Sequence, residues 1–213
     1  NAPELRTDLV SEGCIFQTNS DTEVVLHLYA RSKAATPQDA IVESVAHVHG
    51  AFSIVLLTKD LLIAVRDPHG FRPLVLGKLG DAMVVCSETC ALDLIGAEFE
   101  RDLEPGEVVV IRRGRLRSMR PFSKGAGEHF CVFESIYFAR PDSNLMGSNV
   151  YSFRKELGRT LAREHPVVAD MVVPVLDSGT AAALGYAEEA GIPYETALIR
   201  NHYVKRTFIE PAQ

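Results

Sequence analysis

The sequence predicts an α+β domain followed by the beginning of an α/β domain, on three observations. The first fifty residues carry helical periodicity, and four β-type runs follow them: Phe52 to Leu57, Leu61 to Arg66, Leu74 to Leu79 and Ala82 to Ser87. Helices followed by an antiparallel meander indicate α+β layering. Beyond a Ser/Gly/Lys connector, Pro121 to Gly127, the pattern becomes strand, turn, helix, strand, which is the unit of a parallel sheet. We therefore divide the chain into domains 1–128 and 129–213.

Pro3 to Glu12 reads as a short helix with Leu5 and Leu9 on one face, stopped by Gly13. Cys14 to Gln17 is expected as a short strand. Ser20-Asp21-Thr22-Glu23 has the form of a capping box before the apolar run Val24 to Tyr29. A third helix starts at Thr36-Pro37, with threonine as cap and proline at the first helical position. Ile41, Val45 and Val48 recur on it at helical spacing, and Gly50 ends it.

The four β-type runs are punctuated by Lys59-Asp60, by a Pro/Gly loop and by Gly80-Asp81. Thr89 to Ile95 is a short helix. Val108 to Ile111 and Leu116 to Arg120 form a hairpin around Arg113-Gly114. In the second domain Phe153, Leu157 and Leu161 share a helix face. Met171 to Leu176 and Tyr194 to Ile199 are expected strands, with a helix from Ala181 to Ala190 closed by Gly191. The chain stops at Gln213, too soon to complete a parallel sheet, and it begins without Met. We expect a longer reading frame around it.

The 213 residues are 46% hydrophobic and 23% charged, ordinary globular usage that argues against disorder. A formal net charge of −6 argues against a generic nucleic-acid or anionic-membrane binder. There is no apolar run long enough to span a bilayer. Cys14, Cys86, Cys90 and Cys131 fit no zinc spacing, and four reduced cysteines suit a cytoplasmic protein. The seven histidines show neither ligand spacing nor an evident base role.

Asp177-Ser178-Gly179-Thr180 is the strongest local signal, because it lies between an apolar strand and an Ala-rich helix. A helix N-terminus offers unpaired N–H groups and partial positive charge to a phosphate, and glycine admits close backbone approach. An ordinary N-cap explains the same four residues. Arg200 to Phe208 is basic and aromatic and follows a strand, so it suits either a phosphate-covering loop or a solvated one. Capping accounts for Ser20 and Glu23 but leaves Asp21 without a role, and a carboxylate there could receive an ammonium group. Arg66-Asp67-Pro68-His69-Gly70-Phe71-Arg72 reads as a structural cluster built on a rigid turn.

Taken in order, these segments resemble the amidophosphoribosyltransferase family. The likeness runs through Ile15-Phe16-Gln17-Thr18, Ser20 to Val24, Gly50-Ala51-Phe52-Ser53, Arg66 to Leu74 and Ser87-Glu88-Thr89-Cys90-Ala91. It continues through Pro105-Gly106-Glu107, Phe133 to Ser143, Asp177 to Thr180, Gly191 to Glu195 and Tyr203 to Ile209. The Phe133 to Ser143 stretch is the most specific piece. The Arg-Asp-Pro piece also occurs in related amidotransferases.

The resemblance implies part of an N-terminal-nucleophile glutaminase, an αββα sandwich, followed by the start of a type I phosphoribosyltransferase domain. It implies conversion of phosphoribosylpyrophosphate, glutamine and water to phosphoribosylamine, glutamate and pyrophosphate, the first committed step of purine synthesis. Purine nucleotide inhibitors, Mg²⁺ and a homo-oligomer are implied with it.

Carried over by residue, Asp21 binds the glutamine α-amino group. Asp177, Ser178, Gly179 and Thr180 form the pyrophosphate loop, with Ser178 near Mg²⁺. Arg200, Tyr203 and Arg206 belong to the loop that closes over the substrate. Cys131 aligns with a ligand of a [4Fe–4S] cluster in one branch, and branches without a cluster also carry cysteine there.

The family nucleophile is an N-terminal cysteine. This chain starts with Asn1, so we expect no glutaminase activity from these residues alone. Leu176 stands where the family usually has proline and Lys205 where it has glycine. Two other expectations are kept beside this one. One is a non-catalytic nucleotide-binding or regulatory relic of the same fold. The other is a glutaminase serving a different acceptor, against which the stretch from Phe133 to Phe208 argues.

Overall fold

The computed structural model describes residues 1–122 and 127–203. It divides into two compact units, 1–131 and 132–213, each taken here by itself.

The first unit opens with three helices, α1 (Ala2–Ser11), α2 (Thr22–Arg31) and α3 (Pro37–Ala46). Thr36 caps α3 as expected, its hydroxyl accepting from the Asp39 amide. The helix closes at Ala46, four residues before Gly50. Two expectations at the start of the chain fail for one reason. The Glu23 carboxylate does not return to the Ser20 amide as a capping box requires; it accepts from Gln17 N at 2.7 Å, Thr18 N at 2.8 Å and Thr18 Oγ1 at 2.6 Å. Those amides are thereby withdrawn from any ladder, and Cys14 to Gln17 is loop instead of strand.

Two antiparallel sheets follow. One has the order β1-β2-β6-β7 and the other β4-β3-β5. Their strands are β1 (Ser53–Leu57), β2 (Leu62–Arg66), β3 (Val75–Leu79), β4 (Ala82–Cys86), β5 (Glu98–Asp102), β6 (Val108–Arg112) and β7 (Arg115–Met119). Helix α4 (Thr89–Ile95) lies between β4 and β5 and ends on Gly96 in the left-handed region.

Alternation along the strands assigns each face. Ile63, Val65, Val108 and Val110 point towards Val25, Ile41 and Val45 of α2 and α3. Ala64, Val109 and Ile111 point the other way, onto Leu74, Leu76 and Leu103 beside the second sheet. Val75 and Val84 on that sheet's outer face meet Leu92 of α4. The unit is therefore a four-layer αββα sandwich. Ile41, Ile63, Leu76 and Leu92 are each at most 1% exposed, which stabilises by about 1.5–3 kcal/mol apiece.

The second unit begins with a π-helical turn, Glu134–Phe138, then a two-stranded ribbon of β8 (Asn144–Leu145) and β9 (Ser148–Asn149). Helices α5 (Val150–Glu164) and α6 (Thr180–Ala190) follow. The face by which α5 packs is not its apolar row: Phe153, Leu157 and Leu161 are partly exposed, and the buried positions are Val150, Arg154, Gly158 and Ala162. Gly158 and Gly185 let the two helices meet backbone to backbone. Buried Arg154 donates to the carbonyls of Ser135 and Ala139, both at 2.8 Å, and so fastens the π-turn.

The strands expected at Met171 to Leu176 and Tyr194 to Ile199 are reduced to one parallel bridge, Val172 with Tyr194. Two hydrogen bonds hold it, Val172 N to Pro193 O at 2.8 Å and Glu195 N to Val172 O at 3.0 Å. The segments are extended but exchange too few bonds with each other to form a ladder. Gly191 closes α6 in the left-handed region, as the sequence indicates.

Candidate functional site

Asp21 is the N-cap residue of α2, yet its side chain makes no capping hydrogen bond. The carboxylate is exposed and lines a cavity of about 480 Å³ whose wall is Gly50, Ala51, Phe52 and Ser53. Asn1 lines the same cavity. Its amino group donates to His49 O at 3.3 Å and its side-chain amide to His47 O at 2.9 Å, while His49 N donates to Asn1 Oδ1 at 2.8 Å.

Glu23, two residues beyond Asp21, holds the preceding loop. The amides of Gln17 and the groups of Thr18, with Arg6 nearby, bring its carboxyl down to about 2. Periodicity did not reveal this clamp, because Glu23 satisfies the spacing of a capping box equally well.

In the second unit Asp177 to Thr180 forms the turn that starts α6, with Gly179 as N-cap. The Leu176–Asp177 peptide is cis. Gly179 N donates to Val175 O at 3.0 Å, and Thr180 N to Asp177 O at 3.3 Å. A Cβ at position 179 would lie 2.7 Å from Val175 O, so only glycine fits. Asp177 and Ser178 are exposed; Gly179 and Thr180 are half-buried. Arg200 Nη1 lies 2.6 Å from Asp177 Oδ2, both side chains more than half exposed. Such a pair contributes about 0–1 kcal/mol, so Arg200 is readily drawn to another anion.

Among the expected site residues the structure thus gathers Asp177, Ser178, Gly179, Thr180 and Arg200. Tyr203 is 98% exposed, its amide held by Asn201. Arg206 lies outside the described residues. Asp21 and Cys131 belong to the first unit. All four cysteines are free thiols, and burial pushes the Cys86 thiol up, which keeps it protonated. Among the described residues no three His, Cys, Asp or Glu side chains converge. Cys131 therefore has no companion ligands there, and the described residues do not by themselves fit a [4Fe–4S] cluster.

The cluster around Arg66 and Asp67 is structural, as expected, but its work is on backbone. Arg66 donates to the carbonyls of Gly70 and Arg72 at 2.8 and 2.9 Å and to Leu103 O. The Asp67 carboxylate accepts from His69 N at 2.9 Å, Phe71 N at 3.1 Å and Phe52 N at 3.4 Å. It thereby also steadies Phe52 in the wall of the Asp21 cavity.

Residues 1–94 match the family model of a glutamine amidotransferase domain. Over the whole chain the sequence is 52% identical to an amidophosphoribosyltransferase of Rhizobium etli and 50% identical to that of Bacillus subtilis, and it covers 44% of each. It is 52% identical over 95% of its length to a chloroplastic amidophosphoribosyltransferase of Glycine max, covering 36% of it. The solved glutamine phosphoribosylpyrophosphate amidotransferase of B. subtilis, complexed with ADP and GMP, superposes with a TM-score of 0.92 at 50% identity, over 100% of this chain and 47% of that one. The chain thus spans a little under half the length of the curated relatives it matches. In sequence and fold together, its 213 residues are similar throughout to one part of the amidophosphoribosyltransferases.

Proposed function

We propose that the chain is a segment of an enzyme that converts phosphoribosylpyrophosphate, glutamine and water to phosphoribosylamine, glutamate and pyrophosphate. The glycine-dependent turn at the start of α6 carries the phosphoribosyl half of the proposal. It sets the N-terminus of α6 beyond an extended segment, with Arg200 alongside. Mg²⁺ would accompany the diphosphate with the Ser178 hydroxyl among its neighbours, supplying charge neutralisation. Arg200 holds the phosphate oxygens, and Tyr203 follows three residues later in the chain.

Asp21 supports the glutamine half. Its carboxylate is free of capping and faces a cavity, so it can take the α-ammonium of glutamine in a charge-assisted hydrogen bond. The transfer of purine nucleotides as regulators to this chain is supported by ADP and GMP in the B. subtilis structure. Free thiols throughout support a cytoplasmic place of work.

The two halves separate experimentally in the full-length protein that carries this sequence. Asp21→Asn should lower kcat/KM for glutamine about tenfold to a hundredfold, the worth of one charged hydrogen bond, and leave ammonia-dependent phosphoribosylamine formation intact. Gly179→Val should abolish both. Undiminished glutamine use by Asp21→Asn would exclude the assigned role of that carboxylate.

A further inference from the structure

The first unit holds a second, larger concavity, of about 1010 Å³, which shares no lining residue with the cavity at Asp21. It lies between the β6–β7 hairpin, the β1–β2 turn and the first residues of α3. Its lining includes five cations, Lys59, Arg112, Arg113, Arg115 and Arg117, against the single acid Asp60. All five are exposed, and among the described residues none of them forms an ion pair. Such a concentration stands out on a chain of net charge −6.

The strand register explains how the charges converge. Arg112 is paired directly with Arg115, and Val110 with Arg117. Directly opposed residues share a face, as do residues two apart, so Val110, Arg112, Arg115 and Arg117 all project from the same side of the sheet. That is the side covered by α2 and α3, since Val108, Val110 and Met119 pack against them. Past the end of the helical layer the same face carries guanidinium groups instead of core.

Two features of this hairpin work against its own stability. Like charges directly opposed across a strand pair repel. Arg113, at φ +48°, occupies a left-handed turn position that Asn or Gly fills without strain. Leu61 and Val110 provide an apolar floor. An enclosure of this size suits a small molecule. Several guanidinium forks side by side suit phosphate oxygens.

We propose that this cleft binds a condensed phosphate chain carrying three or more negative charges, either inorganic or as part of a nucleoside polyphosphate. The inference is independent of the function proposed above. The anion bridges Arg112 and Arg115 and removes their repulsion, while Lys59 and Arg117 close on it from either side.

Calorimetric titration of the 213-residue chain tests this, with inorganic triphosphate, ATP and AMP as probes. Triphosphate should bind, and AMP at least about tenfold more weakly. The affinity should fall as salt is raised from about 50 mM to about 500 mM. The double variant Arg112→Ser/Arg115→Ser should lose about tenfold or more in triphosphate affinity. Its melting temperature without ligand should be unchanged or higher, because the repulsion is gone. The same isotherm in a Gly179→Val background separates this cleft from the turn at α6. ATP binding about tenfold tighter than triphosphate identifies a nucleoside ligand, and equal binding an inorganic one; both support the proposal. Equal triphosphate binding by wild type and double variant overturns it, as does tighter binding of poly-glutamate than of triphosphate.

Discussion

Replacing Gly158 by alanine should unfold much of the second unit, and replacing Gly185 should do the same. A Cβ at 158 would stand 1.9 Å from Ala182 O, and one at 185 would stand 1.9 Å from Lys155 O. Real Cβ contacts essentially never fall below 3.0 Å, and in both cases the obstructing atom is backbone, which cannot rotate aside. Helix propensity favours the change by about 1 kcal/mol. Overpacking opposes it by about 1–3 kcal/mol or more per site, and separating the helices also uncovers Ala162 and Ala181. Sterics therefore win.

Surface ion pairs across the joint, Lys155 and Arg159 with Glu188 at 2.6 and 2.8 Å, are too exposed to offset the loss. Gly191→Ala serves as the control. Nothing lies within 4 Å of its Cβ, and only its φ of +67° resists, at about 1–2 kcal/mol. Urea melts of the three variants should rank Gly191→Ala well above the other two. A Gly158→Ala protein as stable as wild type would refute the backbone contact.

Glu107→Ala should be the most damaging single change in the first unit, by about 3 kcal/mol. The side chain is 1% exposed and accepts from Arg101 at 2.7 and 2.8 Å, Glu104 N at 2.8 Å and Ser118 Oγ at 2.6 Å. It ties the β6–β7 hairpin to β5, which belongs to the opposite sheet. Its removal takes the acceptor from the Glu104 amide and the Ser118 hydroxyl in a part-buried network, although Arg101, 40% exposed, can rehydrate and so moderates the loss. Burial pushes the Glu107 carboxyl up, but Arg101, Ser118 and the Glu104 amide together outweigh it and bring it down to about 2.

A depressed folded value means that Glu107 contributes stability above its ordinary value of 4.5, and that the contribution is lost as pH falls through about 2. Melting temperatures recorded between pH 5 and pH 2 should therefore fall less steeply for Glu107→Gln than for wild type, from a lower start. Some slope should persist, because Glu23 is depressed in the same range. An unchanged slope would show that Glu107 does not hold its charge through the fold.

Much of the sandwich was legible because local chemistry and tertiary demand agree there. Thr36-Pro37 starts α3, Arg113-Gly114 turns a hairpin, and Thr89 to Ile95 is α4 to the residue. Strand β5 was not legible. Glu98-Phe99-Glu100-Arg101-Asp102 has no apolar alternation, since it is an edge strand paired only with β3 and mostly solvated. The packing face of α5 was hidden for a different reason, because contact through glycine and alanine leaves no hydrophobic stripe to count. At the site, Asp177 to Thr180 was visible as a turn before a helix, and Asp21 as a residue that capping left unexplained. The true partners of Glu23 were not, because a carboxylate can swing to whichever amides the tertiary fold supplies.

Asp67 has a bearing on how the first unit breathes. Its carboxylate and carbonyl collect amides from Phe52, His69, Gly70, Phe71 and Gly106, which lie on three loops: before β1, after β2 and between β5 and β6. Beside it Arg66 reaches Leu103, 37 residues away. Loops ordinarily fray independently and exchange their amide hydrogens first. Here, releasing the loop of Phe52 or that of His69 and Phe71 leaves a fully buried carboxylate short of a donor, and releasing that of Gly106 leaves the Asp67 carbonyl short of one. The loops at this end of the sandwich are consequently fused into the same cooperative unit as the strands. Their amides should exchange with the slow, shared rate of global opening.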